Sequence, residues 1–367
     1  MTDDCKLTAK PCYRYHRLAL APLLADTPAE ALRTVKNTLS RAEETPFLEF
    51  ILQQGLGPLW HDLLLKNNIQ SLFPPEFTRE LRNLTFHAAR LHLFQKIALD
   101  KINTIFTKKA IAYAVFKGVH TREIIYPDPG LRYACDIDLL VAKAHKIKAI
   151  TTLVEAGYAF KPVAENISHE ATLADDRVSI DLHWDILRPG RTRIDVTDEF
   201  LATGKECTGY FALGNEATLF MLLVHPVFTK YSTTPQSTLL HLLDLLYWIR
   251  TQKTDWDKLH DYLERGGVKT AAWITATYLE MLTGTALPHS FTGRIKPGPA
   301  RAWYLRQWLA RNLSTRLLDH PVFVQLGFTL PVHDTWTDAC RAIKQTLHDK
   351  KKAGQNTKDM LQQIDAK

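Results

Sequence analysis

Three aspartates pose the chemical question. Asp136 and Asp138 stand in the run Asp136-Ile137-Asp138-Leu139-Leu140-Val141, and Asp181 in Ile180-Asp181-Leu182-His183-Trp184. On a β-strand, residues i and i+2 project from one face, so Asp136 and Asp138 stand side by side with Ile137 and Leu139 turned into a core. Neighbouring carboxylates in a half-buried site repel each other unless a cation sits between them. Hard oxygen donors of this kind select Mg²⁺ or Mn²⁺. Asp181, on the polar face of a second strand, is the natural third donor. Such a set can hold two ions about 3.5–4 Å apart and clamp the attacking and leaving oxygens of a phosphoryl group.

Other side chains accompany them. Lys117-Gly118 closes an apolar run and precedes a short helical stretch, a turn that presents backbone N–H groups and an ammonium to an anion. Arg132, in the loop before Asp136, is a second phosphate contact on this reading, and a solvated loop arginine on the plainer one. His183 shares the polar face of Asp181 and can orient a carboxylate, touch phosphate or move a proton. Cys135 and Trp184 read as core residues. An Asp-x-Asp pair alone is a weak signal, since Asp255-Trp256-Asp257 repeats it where acids suit a helix N-terminus. The strand context is what separates the two.

The elements that must position these groups follow from the hydrophobic period. Residues 1–16 are polar and read as a loose arm, and helical signals begin near Leu18. Thr27-Pro28 opens a helix with Thr27 as N-cap. Leu81, Leu84, Ala88, Leu91, Phe94, Ala98, Ile102 and Ile105 follow at steps of three or four and predict one long helix over roughly 76–109. At Ala110 the period changes. Ile111–Phe116 predicts a buried strand, Val119–Tyr126 a short helix, Ile137–Val141 a strand, and Lys143–Gly157 a helix closed by Gly157. Tyr158–Phe160 is extended, and His169–Leu173 with Arg177–Trp184 predicts a hairpin about Asp175-Asp176. Beyond Gly190 only helices are expected, over roughly 214–229, 238–252, 255–265, 267–283, 299–318 and 336–364. The expected division is a helical region at 1–109, an α/β module at 110–200 and a helical domain at 201–367.

Composition sets the outer limits. The chain has 367 residues, 46% hydrophobic and 23% charged, which excludes wholesale disorder. A net charge of +7 is compatible with anionic substrates. Five scattered cysteines without a CxxC suggest a reducing compartment and argue against a thiolate zinc site. With no apolar leader at the N-terminus, and Leu239–Ile249 too short to span a bilayer, the expectation is a cytoplasmic protein with no membrane partner.

Phe116-Lys117-Gly118, Tyr126-Pro127-Asp128-Pro129-Gly130-Leu131-Arg132, the Asp136–Val141 run, Glu155-Ala156-Gly157-Tyr158 and Ile180–Trp184 together resemble a large bacterial nucleotidyltransferase family within the DNA polymerase β-like superfamily. The helix around His225 and Leu242-Leu243-Asp244-Leu245 is similar to that family's C-terminal helical region. The resemblance covers roughly residues 110–285. It implies an α+β fold, a small mixed sheet with helices, and a divalent-metal site of Asp136, Asp138 and Asp181. The implied activity is transfer of a nucleoside monophosphate from an NTP, by default ATP, to an acceptor, with release of pyrophosphate. Where the wider superfamily has Gly-Ser at its phosphate turn, this chain has Lys117-Gly118, and Lys117 with Arg132 is expected to compensate.

Nothing in the sequence names the acceptor. Residues 294–316 carry six arginines and lysines and no acid, with Trp303, Tyr304 and Trp308 among them. Such a stretch can hold RNA, but from Arg301 the arginines recur every five residues and wind around a helix, so ordinary surface arginines are favoured. The leading expectation is modification of a small molecule, peptide or protein. An RNA- or tRNA-modifying enzyme, toxin-like in use, is the alternative. A lapsed fold serving as a scaffold is a further one, and a metal-dependent phosphohydrolase the last.

Overall fold

The computed structural model describes residues 13–365, apart from 162, 164–165, 231 and 235–237. Most of the expected loose arm therefore lies outside the described residues. Residues 14–16 of it already belong to the first helix.

The N-terminal part is helical: α1 (Arg14–Leu24), α2 (Pro28–Thr38), α3 (Arg41–Gln53), α4 (Gly57–Lys66) and α5 (Pro75–Lys108). Ser40 and Glu43 form a capping box at the start of α3. The 34 residues of α5 make a rod about 50 Å long. Its first half sends Phe77 and Leu81 into one core, and its second half sends Leu99, Ile102 and Phe106 into another.

The middle part alternates: β1 (Tyr113–Phe116), α6 (Lys117–Ile125), β2 (Asp136–Val141), α7 (Lys146–Glu155), β3 (Ala159–Lys161), β4 (Glu170–Ala174), β5 (Ser179–His183), α8 (Thr197–Ala202), β6 (Lys205–Cys207) and β7 (Tyr210–Ala212). The strands form one mixed sheet in the order β3-β4-β5-β2-β1-β7-β6. β2 runs antiparallel to β1 and parallel to β5. The β6–β7 hairpin turns at Gly209, at φ 87°, and pairs β7 with β1. It corrects the expectation that only helices follow Gly190: three-residue strands carry too few side chains to show a period.

The remainder is helical: α9 (Asn215–Lys230), α10 (Leu239–Thr251), α11 (Trp256–Gly266), α12 (Lys269–Thr283), α13 (His289–Ile295), α14 (Pro299–Ala310), α15 (Leu313–Arg316), α16 (Pro321–Val324) and α17 (Trp336–Asp365). The single helix expected over 299–318 is broken at Asn312, whose φ of 50° no continuous helix accepts. Asp255 caps α11 through the backbone N–H groups of Asp257 and Lys258, as its helix-terminal reading required.

Helices cover both sheet faces. Ile137, Leu139, Val141, Ile180 and Leu182 pack with α5 and α7, together with the buried Trp184. On the other face Ala114, Phe116 and Leu140 join a larger core shared by the N-terminal helices and α9–α14. The start of α1 is tied across it to α14, where the Tyr13 hydroxyl donates to the Leu309 carbonyl at 2.6 Å. No helix among the described residues is long and apolar enough to cross a membrane.

Candidate active site

Strand alternation and register assemble the carboxylates. Asp138 lies opposite Phe116 on β1 and opposite Asp181 on β5. Asp136, Asp138 and Asp181 therefore share the sheet face that looks towards α9 and α10. Thr172 on β4 donates to Asp181 Oδ1 at 2.8 Å.

Lys117 ends up inside this group. Its backbone sits at φ 57°, in the left-handed region, a conformation costing a non-glycine residue about 1–3 kcal/mol and typical of functional turns. The turn from β1 into α6 brings its ammonium to 2.7 Å from Asp138 Oδ1 and 3.5 Å from His183 Nε2. The same ammonium lies 4.8 Å from the centre of the Phe116 ring. His183 Nε2 stands 3.0 Å from Asp138 Oδ1, and its Nδ1 lies 3.1 Å from Glu170 on β4. The ring is thus held between two carboxylates.

The two aspartates of β2 respond in opposite directions. Burial works against ionisation of Asp138, but Lys117 and His183 outweigh it and hold the group well below the usual carboxylate range. Asp136 is pushed up to about 6 by burial and by its neighbours Asp138 and Asp181. The face therefore carries negative charge that Lys117 only partly offsets.

Arg132 is placed elsewhere. Its guanidinium is buried and grips Asp244 of α10, with Nε 3.2 Å from Oδ1 and Nη2 on Oδ2. Tyr126 donates to the same carboxylate at 2.9 Å, and Arg132 Nη1 donates to the Tyr133 carbonyl at 2.7 Å. Nη1 also lies against the Lys117-Gly118 turn: a Cβ on Gly118 would come within 2.5 Å of it. Arg132 therefore braces the turn from behind. Cys135, expected in the core, is exposed instead, because β2 begins one residue later and the alternation does not reach it.

The helices behind the turn contribute what the strand pattern could not reveal. A cavity of about 30 Å³ beside Lys117 and Gly118 is lined by His225 of α9 and by His241 and Asp244 of α10. Burial, then Lys117 and Lys230, pulls His225 well below its usual value. Burial, then Lys230 and Arg132, does the same to His241. Lys230, at the end of α9, is lowered by burial and then by Lys117. It has no ion pair among the described residues. Lys230, His225 and His241 form a nitrogen-rich wall facing the carboxylates.

Asp136, Asp138 and Asp181 suit a hard dication in donor chemistry, and the raised Asp136 marks a place for positive charge. In the arrangement seen, no three histidine, cysteine or acidic side chains among the described residues converge as metal ligands. Lys117 already holds Asp138.

A mixed sheet with acids from two parallel strands on one face, entered by a strand–turn–helix, is the framework of a nucleotidyltransferase. Residues 40–284, more than half of the chain, match the model of a family described as uncharacterised nucleotidyltransferase. The chain belongs to that family, and with it to the enzymes of nucleotidyl transfer. A comparison with curated proteins finds no match.

Proposed function

We propose that the protein is a metal-dependent enzyme transferring a nucleoside monophosphate from an NTP, ATP by default, to a hydroxyl-bearing small molecule, peptide or protein. The observation that carries the reading is the register of Asp138 with Asp181, which puts three carboxylates on one face beside Lys117. In this reading the α/β stretch 110–200 is catalytic, and residues 201–367 supply the wall that receives the polyphosphate.

Asp136, Asp138 and Asp181 would hold Mg²⁺ or Mn²⁺, which when bound offsets phosphate charge. Lys117 and Lys230 draw the β- and γ-phosphates to the cavity wall. The acceptor oxygen attacks the α-phosphorus, the bond from that phosphorus to the bridging oxygen breaks, and the electron pair leaves with pyrophosphate. The acceptor proton passes to Asp181, whose second oxygen takes no hydrogen bond among the described residues. His183, between Asp138 and Glu170, keeps the Asp138 carboxylate oriented. Arg132 and Gly118 keep the turn in place.

The arginines of 294–316 are engaged singly: Arg294 pairs with Asp257, Arg301 donates to the His333 and Asp334 carbonyls, and Arg306 stacks on Trp273. That dispersal favours a non-nucleic-acid acceptor. The test is a thermal-shift titration with each of the four NTPs, with and without Mg²⁺, on wild type and Asp138→Asn. Transfer is then followed with α-labelled nucleotide. Metal-dependent stabilisation lost in the variant supports the enzyme, label on RNA selects the RNA-modifying alternative, and no shift with any NTP selects a scaffold.

A further inference from the structure

A cation already occupies the carboxylate face. The Lys117 ammonium lies 2.7 Å from Asp138, inside a niche closed by His183 and the Phe116 ring. Asp138 is 6% exposed, so a metal ion cannot approach this oxygen from open water while the lysine stays. A lysine stem can leave, because it is long and flexible. What it lacks in the resting protein is an acid outside the carboxylate set that is not already held, since Glu170 is engaged by His183 and Asp244 by Arg132 and Tyr126. The adjoining cavity is lined by His225, His241 and that engaged Asp244, and Lys230 nearby offers only repulsion. A polyphosphate on that wall would supply the missing partner.

We infer that Lys117 is an internal competitor for the metal site, so that the protein takes up its divalent ion together with a nucleotide and not before it. This rests on the nucleotidyltransferase reading of the carboxylates, and it adds the order of loading and the chemical form of the substrate, a metal–polyphosphate complex. When the phosphates arrive, Lys117 exchanges Asp138 for a phosphate oxygen, and Asp138 turns its freed oxygen to the ion. No covalent bond changes in this exchange. Free metal is refused because binding it alone would leave the ammonium without an anion in a buried niche, a costly state.

The experiment titrates Mn²⁺ into the full chain by calorimetry, with and without saturating α,β-methylene ATP, which cannot be cleaved at the transferred phosphorus. For the wild type the inference expects Mn²⁺ affinity to rise by about tenfold or more when the analogue is present. Equal affinity with the analogue bound and with it absent overturns it, whatever any variant does. Lys117→Met leaves Asp138 free of its competitor, and its Mn²⁺ affinity without nucleotide should exceed that of wild type by about tenfold. A folded Lys117→Met protein, checked by near-ultraviolet circular dichroism, that binds Mn²⁺ no better than wild type also overturns it. Lys117→Gln serves if the methionine variant does not fold. The two readings fail separately. Analogue bound with no metal coupling removes the lysine inference and keeps the nucleotidyltransferase. Tighter Mn²⁺ binding by the variants with no analogue bound by any form keeps the competitor and removes the nucleotide.

Discussion

Arg132 and Asp244 form a buried ion pair between the loop that leads into β2 and helix α10, at 4% and 1% side-chain exposure. Through it the helical region holds the Lys117-Gly118 turn. Removing one partner leaves the other charged and buried. Asp244→Ala is therefore expected to cost about 3–5 kcal/mol in urea unfolding. The paired replacement Arg132→Met/Asp244→Leu should recover much of that loss. A double variant as unstable as Asp244→Ala would show that packing, not charge pairing, sets the cost.

Asp136 gives a pH signature in metal-free buffer. Its folded-state pKa, raised from 3.8 to about 6, makes the folded protein hold the proton more tightly than the unfolded chain. The associated stability is complete below about pH 4 and is lost as pH rises through 6. Asp136→Asn should therefore be more stable than wild type by about 1–3 kcal/mol at pH 7.5, with the advantage vanishing near pH 4. An advantage that does not change between those pH values would contradict the buried-repulsion account.

His120 acts in the opposite sense. Its ring is buried edge-on against Trp248 and Tyr210, and burial pulls it down from 6.5 to about 4. The folded protein refuses a proton that the unfolded chain accepts. This stability is present above pH 6.5 and is lost as pH falls towards 4, amounting to about 2–3 kcal/mol. His120→Leu should flatten the wild-type acid slope between pH 6.5 and 4 by close to one proton. Because Asp136 opposes it over part of this range, the slope is read from the difference between variant and wild type.

Lys230 separates binding from stability. Its half-buried ammonium has no ion pair among the described residues, so Lys230→Ala should leave the melting temperature unchanged or higher. The apparent NTP affinity should fall by about tenfold or more, the loss of one charge-assisted phosphate contact. A variant that binds NTP as wild type does would exclude Lys230 from the phosphate wall.

Much of this was legible in the chain because it is local. Two acids two apart in an apolar run share a strand face, and the Val178–Trp184 alternation similarly displays Asp181 and His183. The helical preface and the β4–β5 hairpin follow from periods of 3.6 and 2. What was hidden depends on distance or brevity. The partner of Arg132 lies 112 residues away, and nothing near either residue announces the other. Glu170 joins His183 only through the β4–β5 register. The β6–β7 strands are too short for a pattern, although Gly209 between Cys207 and Tyr210 is a turn signal that could have marked them. Lys117 was legible as a cation at a turn. Its choice of Asp138 was not, because that depends on how sharply the backbone bends at a residue that is not glycine.

The Tyr13–Leu309 hydrogen bond joins positions 296 residues apart. On a ribosome the first helix can pack at once against its neighbours, as where Trp60 of α4 donates to the Ala19 carbonyl. The Tyr13 hydroxyl, however, has no Leu309 carbonyl to meet until α14 has emerged. The carboxylate strands can pair long before then. The wall behind the turn comes with α9 and α10, and the contact between Tyr13 and α14 comes later still. Biosynthesis therefore completes the strands first and the enclosure last, and a chain stalled before α9 would carry the acids with nothing to hold a substrate against them.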